Sequence, residues 1–253
     1  MDDPGMTRAT PQWRRVLDLA IPESCANCHE AGLSDLGVCR PCRSELAVAV
    51  AQGPRRWQPT PAPVGFPPTL TATSGCESLR RLLSAWKDGG RGDLDPLLAE
   101  VLTVPLAAYS ASAEVVSARW REERVLIVPM PSSRAAMRRR GRHPLAEVVR
   151  RAATEGPTPA RVIEVLGLTD RVRDQSGLDA LARQRNLTEA VLVRRRHRRL
   201  IDSRTVLLVD DLVTTGASLA AAAAALRRAG ARAVLGVTMG ATLRKVAAGP
   251  GAD

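Results

Sequence analysis

Residues 206–218, VLLVDDLVTTGAS, constrain the fold more than any other stretch of this 253-residue chain. Four apolar residues, 206–209, are too few for a helix and suit a strand buried on both faces. They run into paired carboxylates, Asp210 and Asp211, then into a turn of small residues, and then into an alanine-rich run, 219–229, of high helix propensity. The order is strand, acidic pair, small-residue loop, helix, which is a repeating unit of an α/β sheet.

Each part has a chemical use. A loop entering a helix leaves the first backbone N–H groups unpaired and pointing outward, where the helix dipole also favours an anion. The turn Val213, Thr214, Thr215, Gly216, Ala217 and Ser218 is therefore a candidate phosphate cradle. Its three hydroxyls add donors, and Gly216 permits close backbone approach or a positive φ. Carboxylates at the carboxyl end of a strand can accept hydrogen bonds from a vicinal diol, or hold Mg²⁺ indirectly. Phosphate beside diol describes a ribose 5-phosphate. The bland alternative is an ordinary strand-to-helix turn capped by Thr and Ser, although a buried acidic pair needs a partner that a plain turn does not supply. The lysine of the G-x-x-x-x-G-K-[ST] motif is missing, which disfavours a P-loop NTPase.

A second cluster of chemistry sits near the amino terminus. Cys25-Ala-Asn-Cys28 and Cys39-Arg-Pro-Cys42 are two C-x-x-C knuckles separated by ten residues. Such spacing brings four thiolates to one tetrahedral Zn²⁺, a closed and hence structural site; free thiols or a redox pair are the alternatives. His29 reads as a loop residue and Cys76 as a small core residue. Residues 53–68, GPRRWQPTPAPVGFPP, hold six prolines and no sustained periodicity, so they read as a linker or an extended wrap between domains.

Beyond it, Leu79, Leu82, Leu83 and Trp86 fall on one helix face, and Lys87 ends that helix either as a solvated cap or as a ligand contact. Leu97, Leu98, Val101 and Leu102 begin another apolar face. Residues 125–128 form the next strand, and the turn after it places Ser132, Ser133 and Arg134 at the ligand-binding end of the sheet, within reach of pyrophosphate oxygens. The run RRRGRH, 138–143, reads for most of its arginines as a solvated face. A helix at 144–153 and a strand near 162–166 complete that unit. Residues 169–189 are polar and without a core pattern, the composition of a functional lid, and 194–199 read as an exposed basic turn. Gly230 fits a helix C-cap, and 234–237 form the last strand.

Composition narrows the partners. The net charge of +11 and a pI near 10.9 permit contact with polyanions. Yet lysine occurs only at 87 and 245, and the arginine excess beside abundant alanine has the look of GC-rich coding, which weakens a nucleic-acid reading. One Tyr, one Phe and four Trp leave few stacking platforms for single strands. No apolar run is expected to span a membrane and no signal-peptide pattern opens the chain, so a cytoplasmic location is expected.

Together these pieces resemble the ComF (competence protein F) family, a zinc-knuckle module joined to a type I phosphoribosyltransferase domain. The likeness rests on the cysteine set, WKDGG, VPMPSSR, RRRGRHP, RDQSGL…RQRN and the 206–218 stretch, and covers residues 25–242. It implies a phosphoribosyltransferase-like parallel sheet flanked by helices over 69–253, a zinc-knuckle module over 1–52 and a Pro-rich linker over 53–68. It implies that Asp210 and Asp211 bind ribose hydroxyls, that 213–218 bind the 5-phosphate of 5-phosphoribosyl 1-pyrophosphate (PRPP), and that Mg²⁺ accompanies that ligand. Arg134 and Arg185 would stabilise the leaving pyrophosphate, with Gln175 and Asn186 beside Arg185 in the lid. The resemblance links the chain to DNA uptake, with single-stranded DNA or a competence protein as a partner; an inactive PRPP or nucleotide sensor is the competing class. One departure is plain: where the family commonly has Gly followed by Phe, Asn and Gln, this chain has Gly141-Arg142-His143-Pro144.

Overall fold

The computed structural model describes residues 24–31, 36–155, 160–168 and 191–242. Its centre is a six-stranded sheet of order β1-β2-β8-β7-β3-β4. The strands are β1 (Arg55–Trp57), β2 (Thr69–Ser74), β3 (Val125–Pro129), β4 (Ala160–Val162), β7 (Thr205–Val213) and β8 (Ala233–Ala241). All pairings are parallel except β1 with β2. A separate antiparallel ribbon joins β5 (Leu166–Leu168) to β6 (Val191–Val193).

From β3 the chain steps outward to β4, then returns to the other side of β3 as β7 and steps outward again to β8. The reversal opens a crevice between the carboxyl ends of β3 and β7, where open α/β sheets bind ligands. β7 is longer than the four-residue run predicts. Its ladder with β8 continues from Thr205↔Ala233 to Val213↔Ala241, so the acidic pair and Val213 lie within the strand. Similarly, the strand expected near 162–166 is divided between two sheets, because β4 ends on β3 while β5 pairs with β6.

Helices cover both faces. On one side lie α2 (Glu77–Lys87), α3 (Asp95–Ala108) and α6 (Pro144–Glu155), contributing Leu79, Leu82, Leu98, Leu102 and Val148 to a cluster with Leu207, Val209 and Val237. The same cluster continues into Cys25, Val38, Cys42 and Leu46, the last two on α1 (Arg40–Ala51), so the cysteine segment shares its core with α2 and α3. On the other side α8 (Ala217–Arg228) lies against Val206, Leu208 and Val234 through fully buried Ala222 and Ala223. Alanines there let the helix approach closely, which offsets the scarcity of aromatic core residues. Among the described residues the short helices are α4 (Ala113–Trp120), α5 (Arg134–Arg140) and α7 (Arg198–Ile201).

By length and apolarity alone Gly92–Ala111 reaches the measure of a membrane span. Half of it is buried within the fold, where Leu97, Leu98, Val101 and Leu102 join the core.

Residues 53–68 run as an extended wrap. β1 extends the sheet edge, where proline is tolerated because one side of the strand needs no ladder bond. Trp57 and Phe66 meet edge to face at 6.1 Å. The hydroxyl of Tyr109 is shared between the carbonyls of Pro68 (2.9 Å) and Gly236 (3.0 Å), fastening the end of the wrap to β8. Tyr109→Phe is expected to lower unfolding free energy by about 1–2 kcal/mol, since it leaves those carbonyls without that donor. Chemical denaturation checks this, and an unchanged midpoint would argue that the bond contributes nothing.

Candidate functional site

A cleft of about 200 Å³ opens at the carboxyl ends of β3 and β7. Its walls include Trp86 and Lys87 from α2, Ser132 and Ser133 from the turn after β3, Arg140, and both Asp210 and Asp211. The sequence-predicted acids, near the carboxyl end of β7, and the serine turn that follows β3 thus meet in one cavity.

Strand alternation turns the two acids to opposite sides of β7. Asp210 is half-buried, and its Oδ1 accepts from the Asp211 N–H at 2.9 Å. Burial first, and the neighbouring Asp211 carboxylate second, push Asp210 up to about 8, with Lys87 opposing. Asp211 is 2% exposed; its Oδ1 accepts from the Leu212 N–H at 2.7 Å and its Oδ2 forms an ion pair with Lys87 Nζ. Asp210 is thus the acid of the pair whose ionisation the site opposes, and Lys87 is the cation that faces them.

Lys87 is held in place from behind. Arg140 Nε donates to the Lys87 carbonyl at 2.7 Å, and the Trp86 indole N–H donates to Asp95 Oδ1 at 2.6 Å. Arg142 spans Asp95 (2.6 Å) and Glu147 (2.8 Å). His143 bridges Glu164 Oε2 (2.7 Å) and the Met130 carbonyl (3.2 Å). Burial raises Glu164, but His143 and Arg150 outweigh it and hold the carboxyl below its usual range. Arg140, Arg142 and His143 are thus structural ties, not a solvated face. His143 thereby links Glu164 to the Met130 carbonyl at the start of the serine turn.

That turn is anchored by the Met130 N–H on the Val209 carbonyl (2.8 Å), and Ser133 caps α5 by accepting the Ala136 N–H at 3.1 Å. Arg134 opens α5; its side chain lies outside the described residues, as do Gln175, Arg185 and Asn186.

Of the expected phosphate cradle, Val213 is in β7, and Thr214, Thr215 and Ser218 are exposed. Ala217 begins α8, and its N–H donates to Thr215 Oγ1 at 3.4 Å. Gly216 has φ +75°, and a Cβ there would lie 2.6 Å from Phe66 Cε2, so only glycine suits the position. This turn follows the acidic pair directly, but it does not line the cleft itself.

The four cysteines converge. Cys25, Cys28, Cys39 and Cys42 place their sulfurs within 4.8 Å of one another, and Cys28 and Cys39 are 3.7 Å apart. Tetrahedral metal–thiolate bonds of about 2.3 Å require sulfur separations of ~3.8 Å, so the donor set fits one metal ion. Burial raises the Cys25 thiol, but backbone N–H groups of Cys28, Cys39 and Asn27 prevail and bring it down to about 6. Burial pushes Cys42 up to about 12. Arg91, four residues beyond Lys87, donates to the carbonyls of Ser24 (2.9 Å) and Gly37 (3.2 Å), each near the start of a knuckle.

Lys87 and Arg91 are the residues whose tertiary roles the sequence leaves undecided. The run WKDGGRGD marks a helix end, but nothing in it points to a carboxylate 124 positions later. The basic residues 194–199 do form an exposed turn, a 3-10 turn leading into α7.

The chain is thus an α/β protein with a mostly parallel six-stranded sheet flanked by helices and a four-cysteine cluster near the amino terminus. No protein-family model matches it, and a search of curated proteins returns no significant match.

Proposed function

We propose that the protein binds PRPP in the cleft between β3 and β7 and transfers its ribosyl 5-phosphate to a nitrogen nucleophile, in the manner of the ComF-like phosphoribosyltransferases it resembles. The observation that carries this reading is the meeting of the acidic pair with the Ser132-Ser133 turn at the reversal of strand order. A sugar lying there has its hydroxyls beside Asp210 and Asp211, its pyrophosphate toward the serines, and its 5-phosphate toward Thr214, Thr215 and the start of α8.

In the proposed reaction the bond from C1 to the pyrophosphate oxygen breaks and a bond from C1 to nitrogen forms. Positive charge builds on the sugar ring as pyrophosphate departs. Asp210 and Asp211 face the place where that charge builds, and their oxygens can accept from ribose hydroxyls. The four-cysteine cluster is proposed to hold structural Zn²⁺, as the thiolate donors and their spacing suit that ion. Both Asp211 oxygens and one Asp210 oxygen are already engaged, by backbone N–H groups and by Lys87, so the acids would hold Mg²⁺ indirectly, through its waters.

Calorimetric titration with PRPP and an assay for released pyrophosphate with candidate amines and bases test the reading. Asp211→Asn is expected to weaken PRPP binding by about 1.5–3 kcal/mol, tenfold or more, because a charged hydrogen-bond acceptor is lost. Far-UV circular dichroism would show the fold retained. Unchanged affinity removes Asp211 from the site. PRPP binding without pyrophosphate release from any acceptor would instead favour a PRPP sensor.

A further inference from the structure

The turn that follows α2 lies between the cysteine cluster and the cleft. Three of the four residues 89–92 are glycine, so the backbone there has little stiffness of its own. Arg91 is the exception, and its side chain ties the turn down. Asp93 orients the guanidinium, accepting from Nε at 2.9 Å and from Nη2 at 2.7 Å. The two terminal nitrogens then reach the cysteine segment, donating to the carbonyls of Ser24 (2.9 Å) and Gly37 (3.2 Å). Ser24 immediately precedes Cys25, and the Gly37 carbonyl also accepts the Ala26 N–H at 3.0 Å, so both knuckles and the turn meet at one acceptor. Gly37 has φ +79°, and a Cβ there would collide with Asp93 and lie 2.8 Å from Leu94 Cδ2. The segment and the turn are in close contact.

The other side of the same turn backs the cleft. The Arg91 N–H donates to the Ala85 carbonyl, in the last turn of α2, at 3.3 Å. A Cβ on Gly92 would lie 3.4 Å from Arg142 Nη1, which places the glycine against that guanidinium. Arg142 in turn holds Asp95 at 2.6 and 2.8 Å. Asp95 accepts the Trp86 indole N–H, and Trp86 forms part of the cleft wall. From the knuckle carbonyls to the cleft, the contacts run through Arg91, Gly92, Arg142, Asp95 and Trp86.

We infer that Arg91 is a positioning residue that couples the cysteine cluster to the cleft: metal held by the four cysteines strengthens PRPP binding, and bound PRPP tightens the hold on that metal. This rests on the PRPP reading and the zinc assignment above, and adds the link between the two sites. Closed knuckles fix the carbonyls of Ser24 and Gly37, and these fix the guanidinium of Arg91. The glycine-rich turn then keeps Trp86 and the end of α2 at the cleft. When the knuckles open, Arg91 loses both carbonyls at once and the turn is released. Linkage makes the effect reciprocal, with one factor acting in both directions.

The test is equilibrium competition for Zn²⁺ between the full chain and a chromophoric chelator, in Mg²⁺ buffer, with and without saturating PRPP. The wild-type protein is expected to hold zinc at least about fivefold more tightly when PRPP is present. Arg91→Gln and Arg91→Lys are expected to bring that ratio to within about twofold of unity, because lysine keeps the charge but lacks the fork that spans two carbonyls and Asp93. Arg81→Gln is the control. Arg81 Nε donates to Asn27 Oδ1 at 2.9 Å, joining the same segment to α2 away from the turn, so its loss should leave the ratio as in the wild type. Zinc that free PRPP draws into solution is common to every protein, and the variants correct for it. A merely structural Arg91 would lower zinc affinity in its variants and leave the ratio unchanged, which would overturn the inference. Calorimetric binding of PRPP by the wild type without any change in its zinc affinity would overturn the coupling alone. Absence of PRPP binding would remove the coupling and the PRPP reading together, whereas a chain that holds no zinc would remove the coupling and leave PRPP binding in place. The wild-type comparison stands even where an Arg91 variant fails to fold.

Discussion

Replacing Gly216 with alanine is expected to destabilise the protein by about 2–5 kcal/mol, the sum of two separable effects. The first is backbone: at φ +75° an L-residue crowds its own carbonyl, at a cost of roughly 1–2 kcal/mol. The second is packing: the new methyl would sit 2.6 and 2.8 Å from two carbons of Phe66 and 3.0 Å from Pro59. Forcing a group into such space costs typically about 1–3 kcal/mol. Relief comes only from whatever the ring of Phe66 can yield, and Trp57 lies against that ring. Denaturation midpoints measure the total. The two effects separate in a double-mutant cycle with Phe66→Ala, which should remove the steric part and leave the backbone part. A Gly216→Ala protein as stable as its parent would mean that the turn does not hold this conformation. Because the same turn opens α8 beside the acidic pair, the proposed function adds the expectation that the variant binds PRPP less tightly, whatever its stability.

The largest expected effect follows removal of the zinc proposed for the cysteine cluster. Structural zinc sites couple binding to folding by as much as about 10–16 kcal/mol in small peptides. Here the surrounding core supports part of the segment, so the loss should be smaller, yet still more than about 3 kcal/mol. Four sulfurs within 4.8 Å cannot all be thiolates without a cation between them, and four thiols hold no tetrahedral geometry. Protein purified without chelator should contain one zinc per chain by elemental analysis. Strong chelation, or Cys42→Ser, should lower the melting temperature markedly. A chain that contains no metal, or a melt that chelation leaves unmoved, would show that the four cysteines serve another purpose.

The parts of this structure that were legible in the sequence are those set by local pattern. The apolar run ending in two acids becomes β7, and Leu79, Leu82, Leu83 and Trp86 are all buried on one face of α2. The paired C-x-x-C knuckles meet as their spacing predicts. Other features lay beyond pattern for physical reasons. β1 has three residues and a proline immediately before it, so its identity comes wholly from the edge of β2 that it joins. α5 is hidden because its sequence, RAAMRRR, looks like a solvated charge run; the signal was the Ser133 cap and the Gly141 end, which bracket its seven residues. β5 and β6 are too short to show alternation. The ion pair between Lys87 and Asp211 joins two elements far apart in the chain, and a contact of that kind leaves no periodic trace.

The core shared by the cysteine segment with α2 and α3 bears on how the protein can be handled. A shortened chain starting at Gly53 would strip the cover supplied by Val38, Cys42 and Leu46 from an apolar surface and deprive Arg91 of both its carbonyl acceptors. Greasy area bared in that way favours self-association. The sheet-bearing portion is therefore best produced and assayed with its amino-terminal segment attached, since dissection would report on precipitation before it reported on chemistry.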